Sequence, residues 1–194
     1  MPDQTEEDNL PRALVVDDER EVADAYALRL RGLCDVRTTY AGDTALEILG
    51  DEEIDIVLLD RHMPGLSGDE VLAELDEREY YGRIVMVTAI DPGFDVLDMP
   101  FDDYLCKPVE REDVRAAVEQ QCAVLGYETL GAYFQIEAKR SVLEAELPAT
   151  ELADRNDYRE LADRAEQLRR RANRLLDDPS ELLDTFDAVG REGR

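Results

Sequence analysis

Several side chains in the first part of the sequence are of types that could do chemistry together. They are Asp17 and Asp18 in "VVDDE", Asp60 in "IVLLDRHMPG", Thr88 in "VMVTA" and Lys107 in "YLCKP". Each closes or follows an apolar run. Three carboxylates brought to one place repel, each pair at about 4 Å costing about 4 kcal/mol at an effective dielectric of 20. A cation must then stand among them. A hard divalent ion such as Mg2+, which takes one or two carboxylates and keeps several waters, meets that need, with Lys107 as a second positive charge. Pro108 restricts the lysine backbone to extended geometry and so helps to aim its side chain.

Bringing these residues together is the task of the elements around them. "ALVVDD" (13–18), "CDVRTTY" (34–40), "IDIVLLD" (54–60), "RIVMVTA" (83–89) and "DYLCKP" (103–108) have the composition and length of five strands. "EREVADAYALRLRGL", "DTALEILG", "GDEVLAELDERE" and "EREDVRAAVEQQCAV" carry apolar residues at three- and four-residue spacing, as helices facing a sheet do. The first and third strands are almost continuously apolar, which predicts a parallel sheet covered on both faces. In a doubly wound α/β domain of this kind the carboxyl ends of the strands form a crevice, and the polar residues named above stand at those ends. Between Thr88 and Tyr104, "IDPGFDVLDMP" allows only a short helix of about two turns, bounded by Pro92, Gly93 and Pro100.

Composition bounds the rest. The 194 residues are 44% hydrophobic, enough for one core and a smaller second module. No run is long and apolar enough to span a membrane, and "MPDQTEEDNLPR" is acidic, so a cytoplasmic protein with no membrane partner is expected. Cys34, Cys106 and Cys122 are odd in number, widely spaced and without a CxxC pair, so they predict packing residues rather than disulfides or a zinc site. The formal net charge of -26 is uneven: 11 basic against 32 acidic residues up to Val124 (net -21), and 11 against 16 after it (net -5). Lys107 and Lys139 are the only lysines. Acid-rich, lysine-poor composition is similar to that of salt-loving archaea, where a Debye length of about 3 Å at molar salt screens such charge.

The acidic pair in "VVDDE", the acceptor position in "VLLDRHMPGLSG", the hydroxyl in "VTA" and "DDYLCKP" occur in one order that resembles the receiver domain of two-component response regulators. The likeness covers residues 11–124, after an acidic flexible tail at 1–10. The resemblance implies a flavodoxin-like sheet of strand order 2-1-3-4-5 and a phosphoacceptor rather than an enzyme. By the same resemblance Asp60 takes a phosphoryl group from a sensor histidine kinase. Asp18, Asp60 and the backbone carbonyl of His62 hold Mg2+, with Asp17 reaching it through water. Lys107 pairs with a phosphate oxygen and Thr88 hydrogen-bonds another, vacating space into which Tyr104 turns.

Each assignment has a structural alternative: Asp17 and Asp18 as caps of the next helix, Thr88 as an ordinary strand residue, Tyr104 as packing, and His62 as a solvated loop side chain. Pro64 and Gly68 shape the loop. An aspartyl-phosphate phosphatase is a further alternative. Such enzymes commonly carry a second Asp two residues after the nucleophile, where this sequence has His62.

From Leu125 strand signals cease. "GYETLGAYFQIEAKRSVLEAEL" predicts an amphipathic helix ended by Pro148. In "DYRELADRAEQLRRRANRLL", Tyr158, Leu161, Ala165, Leu168, Ala172 and Leu175 form a coiled-coil seam. Asp157 with Glu160 suggests a capping box for that helix, and Asp178, Pro179 and Glu181 another for a last helix through Phe186. Two such helices can bury their seams as a hairpin or against a second copy of the chain. Residues 125–194 resemble the HalX domain that follows receivers in halophilic archaeal regulators. Seven arginines against four acids from Arg155 to Arg174 favour DNA binding. The net acidity of the tail, and the weakening of phosphate contacts by salt, favour protein interaction or a homodimer instead.

Overall fold

The computed structural model describes residues 9–89, 92–180 and 182–183. Most of the expected acidic tail, Glu181, and the part of the expected last helix from residue 184 lie outside them. The chain forms two compact units, Met1–Cys122 and Ala123–Arg194.

In the first unit β1 (Arg12–Val16), β2 (Asp35–Thr39), β3 (Ile56–Leu59), β4 (Arg83–Thr88) and β5 (Asp103–Cys106) form one sheet in the order β2-β1-β3-β4-β5. Every pairing is parallel, so the expected doubly wound α/β fold is present. All four residues of β3 are buried, and β1 is buried from Ala13 onward. Both strands carry apolar side chains on each face because helices cover each face. On one face Leu14, Val16, Val57, Leu59, Ile84 and Met86 pack with Ala45 and Ile48 of α2 (Gly42–Asp51) and with Val71, Leu72 and Leu75 of α3 (Gly68–Glu77). On the other, Ala13, Val15, Ile56, Leu58, Val85 and Val87 are buried on the side of α1 (Arg20–Leu30) and the start of α4 (Arg111–Glu146). Edge strand β2 alternates exposed Asp35 and Arg37 with half-buried Val36 and Thr38.

Between β4 and β5 stands a 3-10 helix of five residues, Phe94–Asp98, in place of the two helical turns expected. Gly93 precedes it and Pro100 follows it, and the chain between them is too short to bury a helical face. Phe94 is 92% and Leu97 77% exposed.

The helix expected to end at Val124 and the one expected from Gly126 are one continuous helix, α4, and the change from the first unit to the second falls inside it. Gly126 does not stop it because the glycine serves a contact. A Cβ there would lie 2.7 Å from side-chain atoms of Leu176, so its absence lets the chain after α6 (Asn156–Leu175) approach closely. Short helix α5 (Ala149–Ala153) follows Pro148. The seam of α6 is covered within the chain: Ala165, Leu168 and Ala172 pack on Leu130 and Tyr133 of α4, with Leu183. Further along, the Tyr158 hydroxyl donates to Glu144, and Arg140 stands 5.8 Å from the Tyr158 ring. Late residues of α4 thus meet early residues of α6, an antiparallel hairpin.

The cap expected at Asp157 is absent. Arg155 occupies the N-cap position without a side-chain cap bond, and its guanidinium holds the Asp157 carboxylate at 2.7 Å. Asp178 does accept the Ser180 N–H, at 3.2 Å. No helix among the described residues is long and apolar enough to cross a membrane.

Candidate functional site

Parallel pairing places the carboxyl ends of β1, β3, β4 and β5 side by side. Asp17 follows β1, and its N–H donates to the Thr39 carbonyl at 3.2 Å. Asp60 follows β3, with its N–H on the Val16 carbonyl at 2.9 Å. Lys107 follows β5, with its N–H on the Thr88 carbonyl at 2.7 Å. These bonds extend the ladder one rung past each strand and hold the backbones of all three charged residues.

Their side chains converge. The Lys107 ammonium donates to Asp17 Oδ2 at 2.7 Å and to Asp60 Oδ1 at 2.8 Å. The remaining carboxylate oxygens are met by backbone donors. Asp17 Oδ1 accepts the Glu19 N–H at 3.0 Å, a turn ahead of α1 rather than a cap, because Glu19 itself holds the N-cap position and no side-chain cap bond is made there, and Asp60 Oδ2 accepts the His62 N–H at 3.0 Å. Asp17 is 3% and Asp60 7% exposed, and one ammonium between two such carboxylates relieves their repulsion. Burial acts to lower the Lys107 pKa, but the hydrogen bonds to Asp17 and Asp60 outweigh it and hold the ammonium above the usual lysine range.

The other expected residues are placed less tightly. Asp18 is half-buried, and its carboxylate makes no hydrogen bond or ion pair among the described residues. Thr88 is 1% exposed at the end of β4. Tyr104 is half-buried in β5, its ring 5.5 Å from that of Phe101 at a tilt of 51°. The His62 side chain is exposed.

The loop after Asp60 is fixed from its far end. Ser67 Oγ accepts the Glu70 N–H at 3.3 Å and Glu70 accepts the Ser67 N–H at 2.9 Å, a capping box that starts α3. The Ser67 hydroxyl, which donates to Glu70 Oε2 at 2.7 Å, and then the Ser67 N–H hold the Glu70 carboxyl below its usual range. A Cβ on Gly68 would lie 2.1 Å from the Asp60 carbonyl oxygen, so only glycine lets the helix start rest on the Asp60 backbone. Arg61 grips Asp69 through Nε at 2.9 and 3.1 Å, a pairing that the sequence analysis missed because exposed loop charges carry no periodic signal.

No three acidic, histidine or cysteine side chains stand close enough to form a metal cluster among the described residues. A hard cation held mainly by water does not require one. Asp17 and Asp60 already direct oxygens at one shared positive group, the Lys107 ammonium, and Asp18 is the next residue after Asp17 in the chain. The donor set is all oxygen and fits Mg2+.

Residues 13–119 match the response regulator receiver domain family. The chain belongs to that family. The receiver is followed by a match to the HalX domain over residues 123–189. Over 158 residues the chain is 39% identical to a candidate transcriptional regulator of Haloferax volcanii, covering 80% of this chain and 27% of that protein. It therefore spans about a quarter of the length of that relative. Among solved structures, the receiver fold is shared with a CheY-like receiver domain protein of Methanospirillum hungatei (23% identity, TM-score 0.57, 61% of this chain and 98% of that one). It is shared too with the response regulator TrrA of Thermotoga maritima, solved with Mg2+ and BeF (27% identity, TM-score 0.52, 58% and 99%). The two matches together are those of a signalling regulator.

Proposed function

We propose that this response regulator is switched by phosphorylation of Asp60, with a sensor histidine kinase as donor. The supporting observation is the Lys107 ammonium held between Asp17 and Asp60 at the mouth of the sheet. A carboxylate oxygen of Asp60 attacks the phosphorus of the kinase's phosphohistidine, the N–P bond breaks and the histidine imidazole leaves, and the resulting acyl phosphate is reactive enough to be a reversible signal. Mg2+, when bound by Asp18, Asp60 and the His62 carbonyl with Asp17 reaching it through water, offsets charge on the phosphoryl group. Lys107 gives up its bond to Asp60 and pairs with a phosphate oxygen, and Thr88 turns its hydroxyl to another. Tyr104 then moves inward into the space that Thr88 leaves, so that charge at the site becomes a change of surface.

Incubation with Mg2+ and acetyl phosphate should label the chain. Asp60→Ala should abolish that labelling, and undiminished labelling of the variant would overturn the proposal.

For output we propose interaction of the helical second unit with a protein, a further copy of the chain included. The arginines of α6 and its N-cap are interleaved with acids, as in the Arg170–Glu166 pair at 3.0 Å within the helix and the pair of N-cap Arg155 with Asp157 at 2.7 Å. The regulator name of the Haloferax relative supports DNA as a second reading. A footprint by the full chain at native salt would favour DNA, and its absence at every salt concentration would remove that reading.

A further inference from the structure

A lysine carries its charge on a flexible four-carbon stem, so its ammonium stands where its loop and its partners hold it. Past Lys107 the chain passes through Pro108 to Val109, which is 7% exposed. The Val109 carbonyl accepts a hydrogen bond from the guanidinium of Arg29, on α1. That guanidinium is itself braced: its Cζ lies 5.1 Å from the centroid of the Tyr26 ring, one turn earlier. The Arg29 carbonyl in turn accepts from Arg115 Nη1 at 3.0 Å, tying α1 to α4. Tyr26 is 5% exposed and lies within electrostatic reach of the site. Burial pushes its phenol above the usual tyrosine range, Lys107 and Arg29 act to lower it, and Asp17 and Asp60 act to raise it.

We propose that Arg29, braced by Tyr26, is a positioning residue for Lys107: its hydrogen bond to the Val109 carbonyl fixes the Lys107–Val109 loop and so holds the ammonium between Asp17 and Asp60. A planar guanidinium can lie against a ring while one of its N–H groups meets a carbonyl; an ammonium cannot do both in the same way. The consequence for phosphorylation rests on Asp60 as the phosphoacceptor, whereas the placement of Lys107 does not.

With only two lysines in the chain, the test has an internal standard. The full chain and its Arg29→Gln and Arg29→Lys variants are treated briefly with an amine-reactive acylating ester, and acylation of Lys107 is measured against exposed Lys139 by mass spectrometry. Arg29→Gln should raise the Lys107 to Lys139 ratio about tenfold, and Arg29→Lys, which keeps the charge and secures folding, by less. At saturating Mg2+, Arg29→Gln should slow labelling of Asp60 by acetyl phosphate about tenfold, leave the half-saturating Mg2+ concentration unchanged, and add nothing to the loss caused by Lys107→Ala. Unchanged acylation ratios in both variants would overturn the proposal, and so would a labelling loss that adds to that of Lys107→Ala. Should the parent chain fail to label, the phosphoacceptor reading falls and the acylation ratio alone decides the positioning role.

Discussion

Lys107 and Thr88 share one rung of the sheet: the Lys107 N–H donates to the Thr88 carbonyl at 2.7 Å. The ammonium that bridges two carboxylates and the last hydroxyl of β4 therefore stand on adjacent, hydrogen-bonded backbones, and a shift of either strand end is felt by the other.

Removing the cation should expose the cost of gathering acids. Lys107→Ala leaves Asp17 and Asp60, both buried, with their backbone donors but without the ammonium that stood between them. Breaking such a pair costs about 3 kcal/mol. Urea unfolding without Mg2+ should show that loss, and millimolar Mg2+ should restore part of it. An equally stable variant would mean that the carboxylates are solvated.

The same lysine sets an alkaline limit. Its pKa is raised in the folded chain by Asp17 and Asp60. Its contribution to stability is therefore complete below the unfolded value of about 10.4, and is lost as pH rises through the higher folded value. The stability difference between the parent chain and Lys107→Ala should be flat from pH 7 to 9 and shrink above about pH 10.4. Urea midpoints across that range measure it.

Two glycine substitutions should move in opposite directions. Gly68→Ala drives a Cβ against the Asp60 carbonyl oxygen, at 2.1 Å, and the Arg61 Cα, at 2.9 Å. It should cost about 2 kcal/mol and slow labelling of Asp60, because the acceptor loop must shift. Gly131→Ala, within α4 and with nothing inside 4 Å of its Cβ position, should gain about 1 kcal/mol. Thermal melts of both, with labelling rates, separate the cases.

The hairpin can be weakened without touching the site. Leu168→Ala removes a side chain that is 7% exposed from the cluster with Leu130 and Tyr133. A loss of about 3 kcal/mol in the second unit is expected, seen as an earlier transition by circular dichroism. Asp60 labelling at low temperature should be unchanged.

The sheet and its charged rim were legible because apolar runs stop where the crevice begins, and Asp17, Asp60 and Lys107 sit at those stops. The length of α4 was not. Gly126 has the form of a helix stop, and only the approach of Leu176 explains a glycine in the middle of a helix. The start of α6 was misassigned for a related reason: the Asp157 carboxylate had the pattern of a cap, but Arg155 two residues earlier takes it as an ion pair. Arg29 was invisible because its partner, the Val109 carbonyl, lies 80 residues away and has no side-chain signature.

Edge strand β2 bears on how a chain of net charge -26 stays dispersed. In strong salt, long-range repulsion between molecules is screened within about 3 Å, so total charge cannot keep two sheets from joining edge to edge. Exposed Asp35 and Arg37 sit on the open edge itself, where an incoming strand would have to desolvate them at contact. Dispersal in brine then depends on where a few charges stand, more than on how many the chain carries.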